Sequence, residues 1–356
     1  MAGKVKIGVI GIGAIGSLHV DALKKVPHAE VAAICDGQPE RLEAKGKQYG
    51  VSRLFADHRE MLKEDLDAVI VATPNATHCP QTLDALKAGK NVLCEKPMAL
   101  SAREAQKMVQ AAKAAGKFIQ IGMVQRLRGE AQVLKECITN GDLGRIYHTR
   151  VVLCRRRGVP GLGGWFTTKS MAGGGCLIDI GVHFFDLAMW LADTWKPQRV
   201  SASTHAEFGP RMKGYTFTRM WAGPPRYEGV CDVEDYAAGF VRFQKDCTLS
   251  FQISWAANVA QENFVEVIGT KGGVRTGQSK ESMMLLTEHG GRIADIATQY
   301  VETDHFLLQA QNFVGAVQGK NPPQATGEQG LAVMKLLDAI YRSARQGREV
   351  TVGTAD

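Results

Sequence analysis

Through the first third of the chain, short β-branched runs alternate with segments of helical period. Val5, Ile7, Val9 and Ile10 form a run suited to a strand covered on both faces. Ser17 to Lys25 then reads as a helix, Val31 to Ile34 as a strand, and Pro39 to Tyr49 as a helix stopped by Gly50. A strand over Asp67 to Ala72, a helix near Gln81 to Ala88 and a strand over Asn91 to Cys94 follow. Ser101 to Ala115 is a helix whose Ser101 and Glu104 have capping-box spacing, and Phe118 to Met123 is the next strand. This order predicts an N-terminal α/β domain over residues 1–124, with a doubly wound parallel sheet and right-handed crossovers.

The texture changes after Gln125. A helix over Glu130 to Thr139, closed by Asn140-Gly141, leads to a long strand over Arg145 to Leu153. Residues 155–175 are glycine-rich and irregular, and read as an active-site flap or a plain surface loop. Leu177 to Leu191 is a helix apolar almost all round, broken only by Asp179, His183 and Asp186, which share one face. Strands are expected at Ser201 to Ala206, Tyr236 to Phe243, Thr248 to Ser254 and Asn263 to Ile268, with a turn at Gly269-Thr270-Lys271-Gly272-Gly273. Between them, residues 207–232 form an irregular insertion that suits a cleft rim or a subunit contact. Helices near His305 to Val317 and Gly330 to Ala344 precede a short segment, Glu349 to Val352. At 356 residues the chain is too long for one ordinary core, so a second, strand-rich α+β domain is expected over 125–356, sharing a cleft with the first. The helix over 330–344 is free to pack back on the first domain.

The first strand runs directly into Gly11-Ile12-Gly13-Ala14-Ile15-Gly16. A glycine triplet so placed allows a tight turn, a close approach to a diphosphate and close packing of the next helix, the signature of a Rossmann dinucleotide site. Gly11, Gly13, Ala14 and Ile15 would present their backbone to the phosphates. Asp36 ends the second strand, twenty residues beyond Gly16, where a carboxylate accepts both ribose hydroxyls and repels a 2′-phosphate. NAD is therefore the expected cofactor, with Arg41 leaving NADP open. Thr73-Pro74-Asn75-Ala76-Thr77-His78 follows a strand and reads either as a helix cap with a surface His78 or as a wall of the cofactor pocket. Glu95-Lys96-Pro97 also stands at a strand end, where the proline restricts the backbone of Lys96 and gives it a defined aim. Thr73, Pro74, Asn75, His78, Glu95, Lys96 and Gln125 complete the candidate cofactor contacts.

Asp179 and His183 lie four residues apart on the apolar helix, where carboxylates are costly unless paired or facing a wet cavity. They read as a self-satisfied core pair or as active-site groups, and a metal reading ranks low because no further ligand cluster accompanies them. Read as a site, dinucleotide, lysine and Asp-x-x-x-His suit hydride transfer at a secondary alcohol: His183 as general base, Lys96 steadying the oxygen, Asp179 orienting His183 or binding a neighbouring hydroxyl. Arg126, Arg156, Trp165, Phe166 and Lys169 are candidate substrate contacts, the aromatics by stacking and the cations by binding hydroxyls or an acidic group.

The net charge of +7 is a mild excess whose longest basic run is Arg155-Arg156-Arg157, short of a nucleic-acid stripe. Eight scattered cysteines without a CxxC pair, and an N-terminus that passes straight into a strand, suggest reduced thiols in a cytoplasm. No apolar run reaches the length expected of a membrane span.

Together, Gly11-x-Gly13-x-x-Gly16, Asp36, Thr73-Pro74 with His78, Glu95-Lys96-Pro97, Gly174-Gly175-x-x-x-Asp179-x-Gly181-x-His183 and the Gly269-Thr270-Lys271-Gly272 turn resemble the Gfo/Idh/MocA family of glucose-fructose oxidoreductases and inositol dehydrogenases over nearly the whole length. The resemblance implies a C-terminal domain with a large, mainly antiparallel open sheet, substrates that are sugars, inositols or related polyols, and catalytic roles for Lys96, Asp179 and His183. A sheet open on one face often buries it in a dimer, so a homodimer or homotetramer through that sheet is expected, with no nucleic-acid or membrane partner. The preferred reading is an NAD(P)-dependent dehydrogenase or reductase. Its rivals are a redox-neutral, NAD-retaining enzyme that cleaves glycosides and a non-catalytic NAD-sensing regulator.

Overall fold

A computed structural model describes residues 3–217, 220–244, 246–276 and 283–353, so two positions of the expected 207–232 insertion, 218 and 219, lie outside the described residues. Two compact units are present, one of residues 1–124 with 304–331 and one of residues 125–303 with 332–356. In chain order the first unit holds β1 (Val5–Ile10), α1 (Ala14–Leu23), β2 (Ala29–Cys35), α2 (Pro39–Tyr49), β3 (Leu54–Phe55), α3 (His58–Met61), β4 (Ala68–Val71), α4 (His78–Lys87), β5 (Asn91–Cys94), α5 (Ala102–Ala115) and β6 (Ile119–Ile121). The second holds α6 (Gly129–Thr139), β7 (Ile146–Cys154), α7 (Lys169–Ala172), α8 (Val182–Leu191), β8 (Pro197–His205), β9 (Tyr236–Phe243), β10 (Thr248–Ser254), β11 (Glu262–Gly269), β12 (Gly272–Arg275), β13 (Met284–His289) and β14 (Arg292–Ala297). The chain closes with α9 (His305–Val317), α10 (Gly327–Gln346) and β15 (Val350–Thr351).

Among the described residues the first unit carries a six-stranded parallel sheet in the order β3-β2-β1-β4-β5-β6. The order reverses direction between β1 and β4, the place where a doubly wound sheet opens a ligand crevice beyond its strand ends. Ile7, Val9, Val20, Leu23, Ile70 and Leu93 form the core there, and α9 adds Phe313 and Val314 to it. Ser101 caps α5 as expected, its Oγ accepting from the Glu104 amide at 3.3 Å. The expected helix start at Ser17 is corrected to Ala14. Gly16 therefore lies inside the helix, where a Cβ would stand 1.9 Å from the Gly11 carbonyl oxygen, so glycine lets α1 seat on β1.

Among the described residues the second unit carries a nine-stranded sheet, β14-β13-β12-β11-β7-β10-β9-β8-β15, in which β7 and β10 run parallel and the other neighbours antiparallel. The hairpin β13-β14 was not among the expected strands. Its two-residue turn is Gly290-Gly291, with φ +59° and +73°, and its strands are too exposed to show a buried alternation.

One expectation about the apolar helix also changes. Leu177–Gly181 is a turn of π-helix that continues into α8, and the stretch Lys169–Leu191, helical but for the bend at residues 173–175, is 23 residues long and apolar enough to cross a membrane by length and composition. Its apolar window is 83% buried within the protein, as a core helix is. Phe185 of this helix meets Phe251 of β10 edge to face, with ring centres 5.0 Å apart.

Candidate functional site

The loop from β1 into α1 is set for a diphosphate. Gly11 adopts φ +86°, and a Cβ on it would lie 2.6 Å from the Ala72 carbonyl oxygen. Gly13, by contrast, has no heavy atom within 4 Å of where its Cβ would stand, so the side facing a ligand is open. Asp36 is buried next to this loop, and its Oδ2 accepts from the Ile12 amide at 3.0 Å while its Oδ1 accepts from the Gln38 amide at 2.9 Å. These bonds fix the carboxylate beside the glycine turn, where it can receive ribose hydroxyls. The Arg41 guanidinium stands 3.4 Å from Asp36, half turned to solvent. These residues fit a dinucleotide with an unphosphorylated adenosine ribose. Asp36→Ala should reduce the preference for NAD over NADP about tenfold or more, read as a ratio of dissociation constants. An unchanged ratio would remove the ribose assignment.

The loops after β4 and β5 are tied to one another. Thr73 Oγ1 donates to Gln81 Oε1 at 2.6 Å and accepts from Thr77 Oγ1 at 2.7 Å, while Asn75 is buried. His78 is neither a surface histidine nor a pocket wall. Its side chain is fully buried, and its Nδ1 and Nε2 lie 2.7 Å from the Pro97 carbonyl oxygen and 2.8 Å from that of Thr73. Burial holds this imidazole below its usual pKa against the opposing pull of the two carbonyls. The side chain thus locks the Thr73-Pro74 loop to the Lys96-Pro97 turn.

Glu95 is also buried. One carboxylate oxygen is 2.8 Å from His19 Nε2 and the other accepts from the Lys96 amide at 3.1 Å. Burial alone would push the Glu95 carboxyl up, but the His19 hydrogen bond and the charges of His19 and Lys96 outweigh it, and it titrates below its usual range. A Cβ on Gly122 would touch both Glu95 oxygens, which explains the glycine after β6. Glu95 therefore faces α1 and anchors the backbone of Lys96, which is half-buried at the end of β5. His19 was missed in the sequence, although it lies one helical turn past Gly16.

In the second unit, Asp179 sits in the π turn and His183 one turn later in α8. Asp179 is 7% exposed, and its Oδ2 accepts from the buried Trp255 indole Nε1 at 3.0 Å. The Trp255 link was not legible because the two residues are far apart in sequence and belong to different elements. Gln125, with which the same unit begins, lies in the short 3-10 turn Val124–Leu127.

Arg126 is corrected from a substrate contact to a core residue. It is 1% exposed and grips Asp186 with Nε to Oδ2 at 2.7 Å and Nη2 to Oδ1 at 2.5 Å. Trp195 covers its guanidinium, with the ring centre 5.1 Å from Cζ. The carboxylate that seemed to share a face with Asp179 and His183 thus needed a cation, and position 126 supplies it.

The glycine-rich segment and the 207–232 insertion are knit together. The amides of Ala222, Arg226 and Asp232 donate to the carbonyls of Pro160, Leu162 and Thr167 at 2.9, 2.8 and 3.1 Å. Cβ atoms on Gly163 and Gly229 would lie 1.9 Å from the Arg226 carbonyl oxygen and 2.1 Å from that of Gly163, so the two backbones pass in contact. Trp165 stacks on Phe166 at 3.8 Å, and Trp221 from the insertion meets Phe166 edge-on at 5.1 Å. Trp221, half exposed, completes an aromatic cluster of which the sequence had singled out only two members. Lys169 and Arg156 are exposed, the first with its amide donating to Asp232 Oδ1 at 2.7 Å.

Residues 5–123 match the family model described as the oxidoreductase family, NAD-binding Rossmann fold, and residues 135–352 match the C-terminal alpha/beta domain of the same oxidoreductase family. Over 349 residues the chain is 32% identical to the D-glucoside 3-dehydrogenase of Escherichia coli (strain K12), covering 97% of each chain. Over 355 residues it is 30% identical to the 1,5-anhydro-D-fructose reductase of Ensifer adhaerens, covering 98% of each. Among solved structures it is similar to the aldose-aldose oxidoreductase from Caulobacter crescentus complexed with glycerol, with a TM-score of 0.81 and 26% identity over 98% of this chain and 100% of that one.

Proposed function

Because the chain belongs to the Gfo/Idh/MocA family of NAD-dependent sugar and polyol oxidoreductases, we propose that it oxidises a ring secondary hydroxyl of a pyranoside, a sugar carrying a substituent on its anomeric oxygen. The similarity to a D-glucoside 3-dehydrogenase along 97% of both chains is the observation that carries this choice of substrate. The clustered rings of Trp165, Phe166 and Trp221 support it, since aromatic faces suit the apolar face of a sugar ring.

Gly11, Gly13 and the α1 amides would hold the diphosphate of NAD, and Asp36 the adenosine ribose. Bound NAD supplies the acceptor for the hydride. His183 takes the hydroxyl proton, as a group whose ordinary pKa lies near neutrality. Lys96 donates a hydrogen bond to the same oxygen and stabilises its alkoxide character as the C–H bond breaks. Asp179, fixed by the Trp255 indole, aligns the reacting groups. In balance, the C–OH carbon loses a hydride and its oxygen a proton, leaving a ketone.

The test is a panel of methyl glycosides, free aldoses and inositols incubated with NAD while NADH absorbance is followed. Glycosides should give the highest kcat/KM. Turnover of inositols alone would reverse the substrate class, and glycoside cleavage without net NADH would replace dehydrogenation with a redox-neutral cycle.

A further inference from the structure

Glu234 and Asp235 are adjacent buried carboxylates of the second unit, 8% and 2% exposed, and the chemistry above uses neither. Each oxygen of Glu234 accepts from the Gly175 amide at 2.9 Å, and Oε1 also accepts from the Leu177 amide at 3.0 Å and the Tyr341 hydroxyl at 2.8 Å. The Glu234 carbonyl accepts from the Cys176 amide at 3.2 Å. These three amides open the π turn that carries Asp179, and the first amides of a helix have no carbonyl of their own to bond. Glu234 thus closes the start of that helix from outside.

The surrounding sequence is cut to this contact. A Cβ on Gly174 would lie 2.0 Å from the Tyr341 hydroxyl oxygen, and one on Gly175 would lie 1.8 Å from the Glu234 carbonyl oxygen. Only glycine fits either position without displacing the Tyr341 hydroxyl or the Glu234 backbone. Asp235 reaches the same aspartate from the other end. Its carbonyl accepts from the Trp255 amide at 2.8 Å, and the Trp255 indole holds Asp179 Oδ2. The backbone before Asp179 and its carboxylate therefore both trace to one dipeptide. The Asp235 side chain meanwhile collects the Glu207, Phe208 and Gly209 amides at 3.2, 2.6 and 2.8 Å, where the 207–232 insertion begins.

We infer that Glu234 and Trp255 are positioning residues that set the location of Asp179 and, through the shared helix, of His183. The inference rests on the reading that Asp179 and His183 serve the reaction. Neither Glu234 nor Trp255 is assigned a contact with substrate, so their effect should fall on the rate of the bound complex, because a displacement of about 1 Å at a reacting group costs on the order of a hundredfold.

The experiment compares Glu234→Gln, Glu234→Ala and Trp255→Phe with the wild-type full chain, using methyl β-D-glucopyranoside and NAD. For Glu234→Gln and Trp255→Phe, kcat should fall about 10- to 100-fold, while KM for the glycoside and the dissociation constant for NAD stay within about threefold. Glu234→Ala should fall further than Glu234→Gln, which keeps one acceptor oxygen. Amide hydrogen exchange on the same proteins should rise over residues 175–181 in both Glu234 variants and stay unchanged in β1, β4 and β5. Wild-type kcat in Glu234→Gln and Trp255→Phe, or a rise in KM at constant kcat, would overturn the inference. Should wild type give no NADH from the glycoside, the substrate reading falls, and exchange over 175–181 still decides the clamp: unchanged exchange in Glu234→Gln defeats it. Where the Glu234 variants do not fold, Trp255→Phe decides by its kinetics, since it deletes one N–H and keeps an apolar ring.

Discussion

His183→Ala should lower turnover by about 10²- to 10⁴-fold and leave the dissociation constant for NAD near that of wild type, the range expected if it is the acid-base group proposed above. Lys96→Met should give a loss of the same order through a different route. On the proposed mechanism it removes the donor that would steady the oxygen as negative charge develops, at a position whose backbone Glu95 anchors and whose turn His78 ties to the neighbouring loop. Stopped-flow turnover with NAD titration by fluorescence quenching separates chemistry from cofactor binding. If either variant turned over the glycoside at the wild-type rate, the roles given to these residues would be wrong. A fall in NAD affinity with unchanged turnover would move that residue to the cofactor's contacts.

The second large effect is on stability. Asp186→Ala should destabilise the protein by about 3–5 kcal/mol, as read by denaturant unfolding, because it takes the bidentate carboxylate from a buried guanidinium. Both partners of that pair have side chains 1% exposed, and the bond is bidentate, so water cannot replace the lost carboxylate without opening the fold. Replacing both residues at once, as Arg126→Met with Asp186→Leu, should recover much of the loss, because no lone charge is then left behind. A single Asp186→Ala change costing less than about 1 kcal/mol would show that the pair is wet in solution.

Much of the first unit was legible because its signals are local. The glycine triplet, the carboxylate ending β2 and the strand-end Lys96 each follow from a few consecutive residues, and a parallel sheet repeats its period. The limits of α2 matched from proline to the stop glycine because both terminators are in the sequence itself, with Gly50 at φ +68°. What was not legible depends on partners distant along the chain. Arg126 looked like a ligand contact until Asp186, sixty residues away, claimed it. His78 read either as a surface histidine or as part of a cofactor wall, and the two carbonyls that enclose it could not be foreseen. Glu234, Trp255 and Tyr341 carry no motif, and their bearing on Asp179 exists only once β9, β10 and α10 are folded. The glycines at 174 and 175 were readable as part of a family pattern, but not their reason, which is the room they leave for a hydroxyl and a carbonyl.

The backbone contact between Gly163 and the 226–229 segment has a consequence for anyone redirecting this protein to another sugar. Neither loop can be exchanged for a relative's version by itself, since each is the other's scaffold at van der Waals distance. Grafts should succeed only when residues 158–169 and 220–232 are transplanted as a matched set, and in natural lineages changes of length in one should be inherited with changes in the other.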